Sequence, residues 1–304
     1  MTACAGEPPP PAEEGPPLIA KVHALHLKGQ RLMEQGERAR ARDLFEEARQ
    51  LAEGLDDMEG LARALNGLGS VAAMDGHARE AMALHRDALT LAEHLNRPAL
   101  KLDALAHLGT AYQLDGQSDR ARELYEQALT QARNMEDRHS EAVLLNNLGL
   151  IARQGGRLDQ AEQSFQAALA INRQLADPRA QAANLANLGL IAEQAGKLEE
   201  AQARLEAALE LDKGAENREG IAADLASLAR LAEAQNRKEA ALAYAQRAYW
   251  SYRALGDLGR AMTELNRALA LSRDQGRQQE ARQLEAELQA IKNLPVPPAP
   301  GPQN

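Results

Sequence analysis

Apolar and polar positions follow two superimposed rhythms along this chain. In short stretches the apolar residues fall three and four apart, which gathers them on one face of a helix. Leu145, Leu148 and Gly149 share such a face, and Ala161, Phe165 and Ala168 share another beyond a turn at Gly155-Gly156. Leu145 to Ala168 therefore predicts a helical hairpin, in which the small residues Gly149 and Ala161 let two helices approach closely. The second rhythm has a period of 40 residues. Leu25, Leu65, Leu105, Leu145, Leu185, Leu225 and Leu265 form one column, and Ala41, Ala81, Ala121, Ala161, Ala201, Ala241 and Ala281 a second. A third holds Gly36, Gly76, Gly116, Gly156, Gly196, Asn236 and Gly276, where a left-handed residue would end the first helix of each hairpin. A period this strict predicts stacked repeats.

The junctions between hairpins carry their own signals. Asp57, Arg97, Asp137, Asp177, Asn217 and Asp257 share a column, and all but Arg97 are good helix N-caps. Pro98 and Pro178 follow at the first helical position, where a missing N–H costs nothing.

These residues resemble the tetratricopeptide repeat. Leu65, Leu68, Gly69, Ala72, Ala81, His85 and Ala88 reproduce its pattern in one repeat, and Leu105, Leu108, Gly109, Tyr112, Ala121, Tyr125 and Ala128 in the next. The usual period is 34; the six additional residues are expected between hairpins, adding roughly 9 Å of helix per repeat. The long period is similar to that of kinesin light chains, spindle-orientation adaptors and bacterial peptide-sensing regulators. The resemblance implies an all-α, right-handed superhelical solenoid of about seven antiparallel helix-turn-helix hairpins. Its repeats would be 18–57, 58–97, 98–137, 138–177, 178–217, 218–257 and 258–293, with a proline-rich linker at 1–17 and a proline-rich tail at 294–304. The first and last repeats are atypical, as capping repeats are.

The resemblance also implies a concave groove lined by the first helix of each hairpin. By register, its binding residues would be Asn66, Asn146, Asn147 and Asn187, whose carboxamides can pair with an extended peptide backbone, together with His107. Leu150 and Leu190 would form an apolar floor flanked by Arg153, Gln154, Glu193 and Gln194. The basic residues of a carboxylate clamp are largely missing, with Arg153 and Arg230 isolated. A second surface centres on Trp250, whose column (Thr90, Thr130, Ala170, Glu210) faces outward, whereas Tyr249 falls in a column of leucines. Trp250 would anchor a complex or a homo-oligomer.

Composition narrows the function. A net charge of -9 argues against a nucleic-acid partner. No apolar run reaches the roughly 18 residues of a membrane span. His23 and His26 are three apart but lack further ligands, so no metal site is expected. Phosphate loops, HExxH and nucleophile elbows are all missing, so neither a cofactor nor catalysis is expected. The expected role is a protein- or peptide-binding scaffold or adaptor; the alternatives are a peptide-sensing regulator and a structural subunit or assembly factor of a bacterial cell-envelope complex. Met1-Thr2-Ala3-Cys4 resembles the end of a bacterial lipoprotein signal, and Cys4 is the sole cysteine. Lipidation there would place the protein in the cell envelope, facing the periplasm; the alternative is a cytoplasmic protein with an incidental cysteine.

Overall fold

The computed structural model describes residues 17–293; Cys4 and the two proline-rich ends lie outside the described residues. The described chain is helical throughout, fourteen helices joined by short turns. They are α1 (Pro17–Glu34), α2 (Arg38–Gly54), α3 (Met58–Met74), α4 (Ala78–His94), α5 (Pro98–Leu114), α6 (Ser118–Asn134) and α7 (Arg138–Gln154). There follow α8 (Leu158–Gln174), α9 (Pro178–Gln194), α10 (Leu198–Gly214), α11 (Arg218–Ala234), α12 (Lys238–Ala254), α13 (Leu258–Asp274) and α14 (Gln278–Lys292).

The connections between hairpins are no longer than those within them. Residues 55–57 join α2 to α3, just as 75–77 join α3 to α4. The six residues beyond the usual period therefore lengthen the helices, which from α2 to α13 have 17 residues each. Both turn types need a left-handed residue. The glycine column and Asn236 supply it inside hairpins, with φ of 74° at Gly156 and 57° at Asn236. Between hairpins the left-handed residues are Asp56, Asn96, Glu136, Ala176, Glu216 and Gly256. Five of these have a Cβ, so those turns hold strain of about 1 kcal/mol each. The next residue then caps the following helix: Asp57, Asp137, Asp177, Asn217 and Asp257 each accept the N–H three residues on, and Arg97 does not.

The described residues divide into two compact units, which part between Ser140 and Glu141. In the first, each helix packs on the next, and α1, α3 and α5 also pack on one another in sequence. In the second, α8 to α14 pack in the same serial way and α9 touches α11. The core of each hairpin rests on a size match between its two helices. A Cβ added at Gly69 would stand 2.6 Å from the His85 ring, and one at Gly109 would stand 2.7 Å from Tyr125. Gly149 meets Phe165 and Gly189 meets Leu205 in the same way. Where the first helix gains a methyl, at Ala229, the matching position of the second shrinks to Ala245.

Candidate functional site

Seven of the residues singled out by register line two cavities, one in each unit. In unit 1, Asn66 and His107 border a cavity of about 370 Å³ with His26, Gln30, Met33, Glu34, Phe45 and Asp103 among its walls. Asn66 is only 8% exposed, and its Oδ1 lies 3.0 Å from Nδ1 of His85. His107 stacks on His85 with ring centroids 5.3 Å apart. Burial and the His107 charge push His85 down to about 3, so its ring is neutral at physiological pH. Burial likewise lowers His26 to about 4 as it leans on Phe45. His26 and His85 are thus packing groups, and among the described residues no cluster of His, Cys, Asp or Glu could hold a metal ion.

In unit 2 an open cavity of about 790 Å³ is lined by Arg153, Gln154, Leu190, Glu193, Gln194, Leu198, Arg230 and Ala234. The C-terminal ends of α7, α9 and α11 supply most of this wall, because residues forty apart occupy the same place on successive first helices, and α10 adds Leu198. Leu150 is not part of it; its side chain packs against the Phe165 cluster. Three of the asparagines are also spoken for. Asn146 Oδ1 accepts from Asn184 Nδ2 at 3.1 Å and from Asn187 Nδ2 at 3.2 Å, and Asn184 in turn accepts from Asn172 at 2.7 Å. Asn66 and Asn146 thus use their carboxamide oxygens, and Asn187 its Nδ2, on neighbouring helices. The side chains of Asn147, Gln154 and Gln194 make no hydrogen bond among the described residues.

The charges of this groove are unequal. Arg230 donates from Nε and Nη2 to both oxygens of Glu193, at 3.1 and 2.8 Å, a bidentate pair. Arg153 has no carboxylate partner; burial and the nearby Arg230 charge lower its affinity for its proton. The groove thus holds two guanidinium groups against one carboxylate. Sequence reasoning named Arg153 and Glu193 but could not show that Arg230, one hairpin on, would take Glu193 and leave Arg153 alone. Trp250, on α12, is 53% exposed, with its ring 4.8 Å from that of the buried Tyr249 and the Arg253 guanidinium 5.1 Å above it.

Serial helical hairpins of fixed length define this chain as an all-α repeat protein, a class built to present surfaces. Residues 101–174 match one family model described as tetratricopeptide repeat and residues 182–214 match a second of the same description. These two stretches of the chain are tetratricopeptide repeats. No curated protein matches its sequence. Among solved structures it is similar to the apo form of RapI, at 13% identity over 89% of this chain and 97% of that one, with a TM-score of 0.67. A Rap protein complexed with Competence and Sporulation Factor matches at 16% identity over 90% of this chain and 74% of that one, with a TM-score of 0.66. The apo quorum sensor NprR from B. thuringiensis matches at 15% identity over 91% and 77%, with a TM-score of 0.67. At these identities the likeness is one of fold. Among the described residues no helix is long and apolar enough to cross a membrane.

Proposed function

We propose that this chain is a non-catalytic adaptor whose unit 2 groove holds an extended peptide, presenting an apolar side chain next to a carboxylate. The observation that carries this reading is Arg153, a half-buried guanidinium in an open cavity with no anion of its own. A desolvated cation is costly unless paired, so a ligand carboxylate gains both the charge interaction and a bidentate hydrogen-bond geometry. Leu190, Leu198 and Ala234 give the apolar wall that a neighbouring side chain would cover. The free carboxamides of Gln154 and Gln194 can each donate to and accept from a peptide backbone. His107, at the mouth of the unit 1 cavity, is a second contact point in this reading.

Polar groups in the groove are placed to hold, not to react: its one carboxylate is locked by Arg230, and no nucleophile stands beside a base. Two structural relatives lend slight support to a peptide-sensing role, since one was solved with Competence and Sporulation Factor and the other is a quorum sensor. Selection of random peptides on the purified chain, repeated with Arg153→Glu, tests the reading. Sequences rich in Asp or Glu beside an apolar residue should emerge from the first selection and not from the second. Identical pools from both would overturn it.

A further inference from the structure

One pair of positions recurs where the second helix of a hairpin meets the first helix of the next. In unit 1 it holds Ala52 with Ala64 and Ala92 with Ala104, all buried. In unit 2 the same register holds Asn172 with Asn184, then Asp212 with Asp224, then Tyr252 with Glu264. The fold accepts two methyl groups here, or two carboxamides joined by a hydrogen bond of 2.7 Å. At the α10–α11 joint it holds two carboxyls, each only 3% exposed.

Two carboxylates cannot bond to each other, since neither has a proton to donate. Asp212 receives Asn217 Nδ2 on Oδ1 at 2.9 Å, and Asp224 Oδ2 is buried with no partner. Gly220 leaves the room that Asp212 fills, for a Cβ there would stand 1.8 Å from its Oδ2. From α9 the Arg179 charge acts on Asp212, while its guanidinium is bonded to the Ala215 carbonyl at 3.1 Å. From α12 the side chains packed around α11 are Ala241, Leu242, Ala245 and the rings of Tyr249 and Tyr252, none of them cationic. Two bare anions at such a place would suffer both desolvation and mutual repulsion. One proton, carried by Asp224 and donated to Asp212, removes a charge and supplies the missing hydrogen bond.

We infer that Asp212 and Asp224 hold one proton between them, making the α10–α11 joint a pH-sensitive clasp that is closed while the proton is held and loosened by its loss. Burial and the Asp212 charge push Asp224 up to about 8, and burial raises Asp212 as well. Both carboxyls ionise in the ordinary range once the chain unfolds. The stabilisation is therefore complete below 3.8, falls as pH rises, and is exhausted above about 8.

Full-length protein labelled with ¹³C at the Asp carboxyls, titrated by NMR from pH 4 to 10, tests the clasp in the native chain. One carboxyl carbon should titrate near pH 8 and vanish in Asp224→Asn. The double variant Asp212→Asn/Asp224→Asn restores the carboxamide pair of the preceding hairpin. Relative to it, the folded-to-unfolded ratio of the wild type, read from urea unfolding by Trp250 fluorescence, should fall about tenfold per pH unit between pH 5 and 7. Titration of every Asp carbon below pH 5.5 would overturn the inference without recourse to any variant. A wild-type-to-variant ratio independent of pH would do the same.

Discussion

Replacing Gly149 by alanine sets two effects of opposite sign against each other. Helix propensity alone predicts a gain of about 1 kcal/mol, since Gly149 lies inside α7. The packing predicts a loss. A Cβ at this place would stand 2.7 Å from Cε1 of Phe165 and 2.9 Å from both Cδ1 and Cζ. Phe165 is fully buried, and its cluster includes Ala161, Leu169, Leu188 and Ile191, so the ring has no free direction in which to move. Overpacking of this kind costs about 1–3 kcal/mol, which cancels the propensity gain and leaves a net loss of about 1 kcal/mol. The chain itself shows the remedy, because Gly189 covers a leucine and Ala229 is matched by Ala245. Phe165→Leu should therefore remove most of the penalty of Gly149→Ala, giving a coupling energy of about 1 kcal/mol or more in a double-mutant cycle. Urea unfolding of the four proteins, followed by helical circular dichroism and by the fluorescence of Trp250, measures it. A Gly149→Ala protein more stable than the wild type, with additive effects in the double variant, would refute the size-matching argument.

Three further outcomes follow from the geometry. Ala176 sits at φ 52° between hairpins, so Ala176→Gly should raise unfolding stability by about 0.5–1 kcal/mol through relief of left-handed strain; a loss would show that chain entropy dominates there. His85 is neutral in the fold because burial holds it down to about 3, so its contribution is present above pH 6.5 and lost as pH falls from there. Wild-type stability should drop by about 1.4 kcal/mol per pH unit relative to His85→Phe between pH 6 and 4, and parallel acid-unfolding curves would contradict this. Iodide should quench Trp250 efficiently in the isolated monomer, given its 53% exposure, and a shielded tryptophan would place this ring in an interface.

The fold was legible because the repeats agree with one another. The Leu, Ala and Gly columns mark the helices, and Asp57, Asp177, Asn217 and Asp257 act as the N-caps their positions suggested. The left-handed turns between hairpins were not legible, since Asp56, Asn96, Glu136, Ala176 and Glu216 share no chemistry that marks such a position. The placing of the six extra residues was misjudged for the same reason: no glycine column announces the second turn. At the groove, the residues Arg153, Gln154, Leu190, Glu193 and Gln194, grouped by register, line one cavity. Register could not say which polar groups were already engaged. Asn146 looks like a free carboxamide until Asn184 and Asn187, on another helix, are seen to donate to it. Likewise Asp212 and Asp224 carry no warning in a linear reading, as they are twelve residues apart on opposite sides of a turn. Comparison of equivalent positions in successive repeats would have found them, because two alanines, two asparagines and two aspartates stand in the same place.

Photo-crosslinking tests the central claim most directly. A benzophenone amino acid placed singly at Gln154, Gln194 or Trp250 of the full chain would be irradiated with a selected acidic-apolar peptide, and the yields compared. The groove reading predicts adducts from positions 154 and 194, their loss when Arg153→Ala is added, and none from position 250. Adducts confined to position 250, or unchanged by the loss of Arg153, would contradict it.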